Sequence, residues 1–419
     1  MAVGTPPRYR ILFVDDEPRV LSGLRRMLRP LRHRWDMTFV DSPVEALKRV
    51  IAEPFDVIVA DMKMPKLTGA RLLEEIKKRR PETTRIILSG ETEREHILGA
   101  LGTVHQFLAK PCDTETVRKT IERAHRLRER LQSPRLAGLL GSIDSLPSPP
   151  AHFTDLVAAL EAPDTDVDVV CDKLCRDPAL VARVLRLVNS ALFGLRQEVT
   201  DLRRAVTLLG FDVVRSLAVS TKVLANYREL PVDAIDFESA WEHAIDVANR
   251  AKRLAVARAA PEAVVQQAFL GGLLHDTGKL AFAVGLGPRY AEVLALARTE
   301  SCRLDEAERR LLGADHAEIG GCLLALWSLP DSIVDVVSHH HHPQPLADGE
   351  HFEAAVCVHA ANILSHLETE PAATPRGLVT ASEWSHLEAV GLAEEVRTAM
   401  APAAASGATA RGAQQGQGN

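Results

Sequence analysis

The sequence predicts two joined folds: a doubly wound, five-stranded parallel α/β domain, then an all-α domain. Short apolar runs alternate with helical stretches five times between residue 10 and about residue 112. That repeat is the pattern of a parallel sheet wound by helices. From about residue 135 strand-like runs nearly vanish, and three- and four-residue periodicity takes over. A chain of 419 residues also exceeds one ordinary hydrophobic core, so two or three domains are expected.

Taken in order, Ile11 to Val14 is an apolar run that ends in Asp15, Asp16 and Glu17. Pro18 then opens a helix carrying Val20, Leu21, Leu24, Met27 and Leu28 at helical spacing. Met37 to Val40 reads as the second strand, and Asp41-Ser42-Pro43 caps the next helix. Val57 to Ala60 is too short an apolar run for a helix and reads as a buried parallel strand with Asp61 at its carboxyl end. Gly69 to Arg80 is a helix with a basic end, stopped by Pro81. Arg85 to Leu88 is the fourth strand and ends at Ser89-Gly90; Gln106 to Ala109 is the fifth and ends at Lys110-Pro111.

Asp15, Asp16, Asp61, Ser89 and Lys110 therefore all fall at carboxyl ends of strands, where open α/β sheets bind their ligands. Three carboxylates in one crevice repel one another unless a cation intervenes. Mg²⁺ suits oxygen ligands with several waters retained. It would neutralise an incoming phosphoryl group and orient it for attack by a carboxylate. Lys110 would pair with the phosphoryl oxygens, and Ser89 would hydrogen-bond one of them. Any one of these residues alone reads better as a solvated strand end; five at matched positions do not.

Residues 8–130 resemble the receiver domain of two-component response regulators, through VDDEP at 14–18, DMKMP at 61–65 with Gly69, LSG at 88–90 and FLAKP at 107–111. The resemblance implies Asp61 as phosphoacceptor, Asp16 as a direct Mg²⁺ ligand and Asp15 as a helper acting through water. It implies a backbone carbonyl from Lys63, Ser89 as switch hydroxyl and Lys110 as the phosphate-pairing base. Phe107 matches an aromatic switch position but lacks the hydroxyl often found there. A cognate histidine kinase is the implied partner.

In residues 113–131, Val117, Ile121, Ala124, Leu127 and Leu131 recur at three- and four-residue steps, an amphipathic helix that could serve as linker, dimer-forming coiled segment or both. Beyond the proline-rich stop at Leu146–Pro150, helices follow from near Ala151 and from Asp166, the latter through Val169, Val170, Leu174 and Cys175. Asp177-Pro178 caps another, with Leu180, Val181, Val184, Leu185 and Val188 as its core face. Thr200-Asp201 caps one closed by Gly210. The pattern is an all-helical bundle or array.

This region resembles the HDOD family, helical relatives of the HD phosphohydrolases. The resemblance rests on Leu146-Pro147, Asp177 to Leu180, Asn189 to Phe193, Ala205 to Gly210, Trp327 to Pro330 and His340 to Pro343. It implies a bacterial regulatory or interaction module, with an unknown protein as partner. Residues 273–279, LLHDTGK, form an intact HD motif, and an adjacent His275 and Asp276 can offer nitrogen and oxygen to a divalent transition metal. His243 matches the first ligand of HD enzymes. His316, His340 and His341 match the extra ligands of two-metal HD-GYP phosphodiesterases. No catalytic residue is firmly assigned, Lys279 being the candidate. Two departures weigh against turnover: Asn362 stands where HD enzymes close with Asp, and no GYP segment follows the histidines. The plainer alternative is that His243, His275 and His316 hydrogen-bond within a polar seam.

Aromatic content of 4% argues against stacking-based nucleic-acid readers, and a net charge of -6 leaves no footprint for DNA. Six cysteines without a CxxC pair suit a reducing cytoplasm. Cys171 and Cys175 read as core residues, with a metal or redox role as the weaker alternative. No run approaches the roughly 18 apolar residues of a membrane span, and the N-terminus lacks a signal-peptide core. The expected layout is receiver at 1–112, extended helix at 113–134, HDOD at 135–345, packed C-terminal helices at 346–400 and a disordered Ala/Gly/Gln-rich tail at 401–419. The expected protein is a cytoplasmic response regulator phosphorylated on Asp61, with output through HDOD-mediated protein binding and a second copy as a further candidate partner. The competing expectation is a phosphorylation-controlled metal phosphohydrolase.

Overall fold

A computed structural model describes residues 9–90, 100, 103–130, 133–143, 150–162, 165–190, 193, 195, 197–224, 236–343, 352–369, 384, 387–388 and 391–394. Of the C-terminal helices expected at 346–400, the part beyond residue 369 falls largely outside the described residues, and the expected tail falls wholly outside them.

The five expected strands form one parallel sheet: β1 (Tyr9–Val14), β2 (Trp35–Val40), β3 (Val57–Asp61), β4 (Thr84–Ser89) and β5 (Gln106–Ala109), ordered β2-β1-β3-β4-β5. Register aligns their carboxyl ends, with Val14 opposite Ala60, Asp61 opposite Leu88 and Ser89 opposite Ala109. Polar residues at those ends therefore share one edge. The helices α1 (Pro18–Met27), α2 (Pro43–Ala52) and α3 (Gly69–Arg79) begin where the breakers predict. Ser42 Oγ accepts from the Glu45 amide at 3.4 Å as N-cap of α2. α4 (Thr114–Arg130) packs its first half on the sheet, where Val117 and Ile121 are fully buried. The side chains of 124–131, on which a coiled segment would turn, lie outside those described.

Among the described residues only helices follow: α5 (Pro134–Ser142), α6 (Pro150–Glu161), α7 (Val167–Leu174), α8 (Pro178–Val188), α9 (Leu202–Leu209), α10 (Phe211–Leu224), α11 (Phe237–Ala257) and α12 (Glu262–Leu274). Then come α13 (Thr277–Leu286), α14 (Pro288–Glu300), α15 (Leu304–Leu312), α16 (His316–Leu326), α17 (Asp331–His339) and α18 (Phe352–Thr369). Aspartate N-caps start several of them. Asp177 accepts from the Leu180 amide at 3.0 Å and Asp201 from the Arg204 amide at 2.6 Å. Asp315 and Glu318 form a reciprocal capping box that sets the first residue of α16, His316. No helix among the described residues is long and apolar enough to cross a membrane.

One apolar core runs without a break from Ile58, Ile87 and Phe107 of the sheet to Leu136, Leu326 and Trp327 of the helices. Within the helical part, α13 packs on α16 and α12 on both α11 and α18. The approach of α13 to α16 requires glycine: a Cβ at Gly278 would lie 1.8 Å from the His316 carbonyl oxygen. That contact brings Asp276 and His316 together. Gly278→Ala is expected to destabilise the fold by about 1–3 kcal/mol through overpacking, read as a lower urea midpoint. An unchanged midpoint would mean the two helices part freely.

Candidate functional sites

The first site stands at the sheet's carboxyl edge. β1 and β3 are neighbours from which the chain winds to opposite sides, and the crevice between them is a topological switch point. The Lys110 ammonium, just past β5, donates to Asp15 Oδ2 at 2.7 Å and to Asp61 Oδ1. Asp61 Oδ2 accepts from the Lys63 amide at 2.9 Å, and Asp15 Oδ1 accepts from the Glu17 amide at 2.9 Å. Burial lifts the Asp61 carboxyl above its ordinary range; Lys110 and the Lys63 amide pull it down, while Asp15 adds repulsion. Burial also works against the Lys110 charge, but its two carboxylate partners hold it above its usual value.

Asp16 is half-buried beside Asp15, Phe107 lies in the core, and the buried Ser89 Oγ donates to the Gly90 carbonyl at 3.2 Å. Among the described residues, Asp15, Asp16 and Asp61 do not form a set of oxygens all within 4.8 Å of one another. Lys110 stands between Asp15 and Asp61 instead. The oxygen donors at this edge fit a hard divalent ion, which would share with Lys110 the charge of two buried carboxylates.

The second site lies among α11, α12, α13, α16, α17 and α18. It brings six of the seven suggested residues together as two groups, His243, His275 and Asp276, and His316, His340 and His341, each with ligand atoms within 4.8 Å of one another; the seventh, Asn362, lies against His243. Asp276 joins them. Its Oδ1 lies 3.3 Å from His275 Nε2, 3.4 Å from His316 Nε2 and 4.0 Å from His340 Nε2. Its Oδ2 accepts from Lys279 Nζ at 2.7 Å and lies 3.9 Å from His243 Nε2. Burial opposes the Asp276 charge, but the surrounding rings and Lys279 hold its carboxyl well below the usual range.

The ring orientations suit ligation. His275 Nδ1 donates to the Gly272 carbonyl at 2.7 Å and His340 Nδ1 to the Val337 carbonyl at 2.8 Å. Their Nε2 atoms are thereby left as inward lone pairs. His275 Nε2, His340 Nε2 and Asp276 Oδ1 are buried without a hydrogen-bond partner and converge on one space. Orphaned polar atoms are costly in an interior, and a cation there would satisfy them. Burial drives the His275 ring down to about 3 and His340 and His341 well below their ordinary value, so the rings stay neutral. Asn362 Oδ1 lies 3.0 Å from His243 Nε2 and contributes no charge. These residues fit a divalent transition metal. An apolar cavity of ≈ 80 Å³ opens beside Asp276 and Lys279, walled by Pro178, Trp241, Tyr290 and Leu294.

Sequence reasoning missed the outer support of this centre. Glu308 on α15 has no exposed surface; one carboxylate oxygen accepts from Tyr290 Oη at 2.5 Å. The other accepts from the His316 amide at 2.7 Å and meets His316 Nδ1 at 2.6 Å. Burial disfavours a charged His316 ring, yet Glu308 and Asp276 hold it above its ordinary value. In LDEAERRLL a glutamate reads as solvent face, and no spacing rule ties Glu308 to His316 eight residues later.

Residues 11–122 match the family model of the response regulator receiver domain, and residues 146–343 match that of the HDOD domain. The chain is 26% identical over 205 residues to an uncharacterized protein of Treponema pallidum, covering 49% of this chain and 39% of that one. It is 32% identical over 178 residues to the hydrogenase transcriptional regulatory protein HoxA of Cupriavidus necator, covering 40% and 36%. The chain thus spans well under half the length of either relative. Among solved structures, the MmoQ response regulator of Methylococcus capsulatus is 24% identical with a TM-score of 0.49, over 62% of this chain and 98% of that one.

Because Glu308 sets which His316 nitrogen carries the proton, Glu308→Gln should weaken metal binding at the His316, His340 and His341 group by about 10–100-fold. A competition titration with Zn²⁺ on protein of unchanged helicity measures it. Wild-type affinity in the variant would show that Glu308 supports the fold alone.

Proposed function

We propose that this chain, which carries a receiver domain at residues 11–122 and an HDOD domain at residues 146–343, is a response regulator that a histidine kinase phosphorylates on Asp61 and whose HDOD domain passes the signal to a protein partner. The observation that carries this reading is Lys110 bridging Asp15 and the buried Asp61 at the switch point of the sheet. Asp15, Asp16, Asp61 and the Lys63 carbonyl would hold Mg²⁺, which would supply charge neutralisation at the incoming phosphoryl group. The chain's own atoms do the rest. An Asp61 carboxylate oxygen forms the new P–O bond as the P–N bond to the donor imidazole breaks. The Lys110 ammonium exchanges a carboxylate partner for a phosphoryl oxygen, a charge-assisted bond of comparable strength. The Ser89 hydroxyl turns from the Gly90 carbonyl to another phosphoryl oxygen. The Phe107 ring follows Ser89, and the change spreads along β5 and α4 to the helices.

A second reading has its own observation, the unsatisfied nitrogens and carboxylate oxygen that converge between α12, α16 and α17. In that reading the HDOD domain holds a transition metal, through His243, His275, Asp276, His316, His340 and His341. The metal would supply Lewis-acid activation of water toward a phosphoester. Asp276 would join the two groups, and Lys279 would hold an anionic ligand at the cavity mouth. With Asn362 in place of an acid, retention of metal ranks above turnover.

Two outcomes test these readings. Asp61→Asn should abolish the mass increase that acetyl phosphate and Mg²⁺ give the wild-type chain; a modified variant would move the phosphoacceptor elsewhere. The purified protein should retain transition metal by elemental analysis, and His275→Ala with Asp276→Ala should release it. Metal-free wild-type protein would remove the second reading. Metal-dependent phosphodiester turnover lost in the same variants would promote it to an enzymatic one.

A further inference from the structure

The two domains meet on a surface that neither site uses. Arg85 of β4 is fully buried and donates to the carbonyls of Thr103 at 2.7 Å, Pro81 and Thr83 at 3.1 Å, and Gly141 of α5 at 2.6 Å. Gly141 is seated so closely that a Cβ would lie 1.8 Å from the Pro81 carbonyl oxygen. Arg186 of α8 donates to the carbonyls of Val104 and His105, just ahead of β5, and lies 5.4 Å from the centroid of the Trp327 ring.

Trp327 opens the turn between α16 and α17. α16 ends in a Schellman motif: the Ser328 amide donates to the Ala325 carbonyl and the Leu329 amide to the Leu324 carbonyl, each at 3.0 Å. Ser328 takes φ 61, a left-handed conformation that favours glycine, so the turn needs outside support. The receiver supplies it. Gln106 Nε2 donates to the Leu326 carbonyl at 3.3 Å, satisfying one of the last acceptors of α16. Arg123 of α4 donates to the Leu329 carbonyl and pairs with Asp331, at the start of α17, at 2.8 Å.

Both helices lead from this turn to the second site: α16 begins at His316, and α17 runs into His340 and His341. The 11 residues of α16 form a lever about 16 Å long. On the receiver side, Gln106 opens β5 and Lys110 follows its last residue. One short strand therefore joins the cation that bridges Asp15 and Asp61 to the side chain that caps α16.

We propose that β5 and α4 form a docking surface whose occupant is the chain's own α16–α17 turn, and that through it the charge on Asp61 controls the His316, His340 and His341 group. The proposal rests on reading Asp61 as phosphoacceptor and these histidines as a metal centre. A phosphoryl group on Asp61 draws Lys110 toward itself, shifts β5 and loosens the hold of Gln106 and Arg123 on the turn. The two centres then bias one bistable contact.

Amide hydrogen exchange of the full chain tests this, with beryllium fluoride and Mg²⁺ as the phosphoryl mimic. Exchange at residues 326–331 should quicken severalfold when the mimic is added. Asp331→Ala, a largely exposed site, and Arg123→Ala should give the same acceleration without it. Mn²⁺ affinity at the histidine centre should differ severalfold between the free and mimic-bound chains. Unchanged or slower exchange in the turn, while β3 and β4 respond to the mimic, overturns the coupling, as does equal Mn²⁺ affinity in both states. If the mimic alters no receiver amide, the phosphoacceptor reading fails; the two variants still decide the docking, and wild-type exchange in both overturns it. If Mn²⁺ binds neither state, the metal reading fails and the exchange data decide the docking alone.

Discussion

A carboxylate removed from water must find a cation or donors, and both centres of this chain answer that demand. Asp15 and Asp61 share the Lys110 ammonium at the sheet edge. Asp276 sits among five histidine rings and Lys279. In a low-dielectric interior each arrangement is poised: removing or adding one charge changes which partner every neighbour prefers. The sheet register, the aspartate caps and the close helix contact at Gly278 all place those carboxylates where they cannot escape to solvent.

Much of this was legible in the chain. The receiver strands were visible because each is a short apolar run bounded by Pro, Gly or acidic breakers, and the carboxyl-end residues follow from parallel winding. The His-Asp pair announced the second centre because it stands in LLHDTGK, the motif that gives this region its resemblance to the HD phosphohydrolases. Other parts had no local signature. Arg183 and Arg186 on α8 look like a solvent face between Val181, Val184 and Leu185, yet every residue of that helix is buried. The receiver covers part of it, and an inter-domain contact leaves no periodicity in either partner. Glu308 escaped for the same reason: its partners, Tyr290 and His316, arrive from other helices.

The continuous apolar core, with Arg85, Arg186 and Gln106 buried and Arg123 half-buried at its polar points, argues against a receiver tethered loosely to its output. Buried guanidiniums that donate to carbonyls fix orientation rather than add much net stability. Such a contact is suited to having two discrete arrangements, which a surface of loose side chains is not.

In the signalling route proposed for this chain, Asp61 takes up the phosphoryl group and the contacts downstream read its charge. Borohydride trapping of the acyl phosphate, followed by peptide mass mapping of the full chain, tests it most directly. Reduction to homoserine is expected at position 61 and at no other carboxylate. A trapped residue elsewhere, or none after incubation with a small phosphodonor and Mg²⁺, would contradict it.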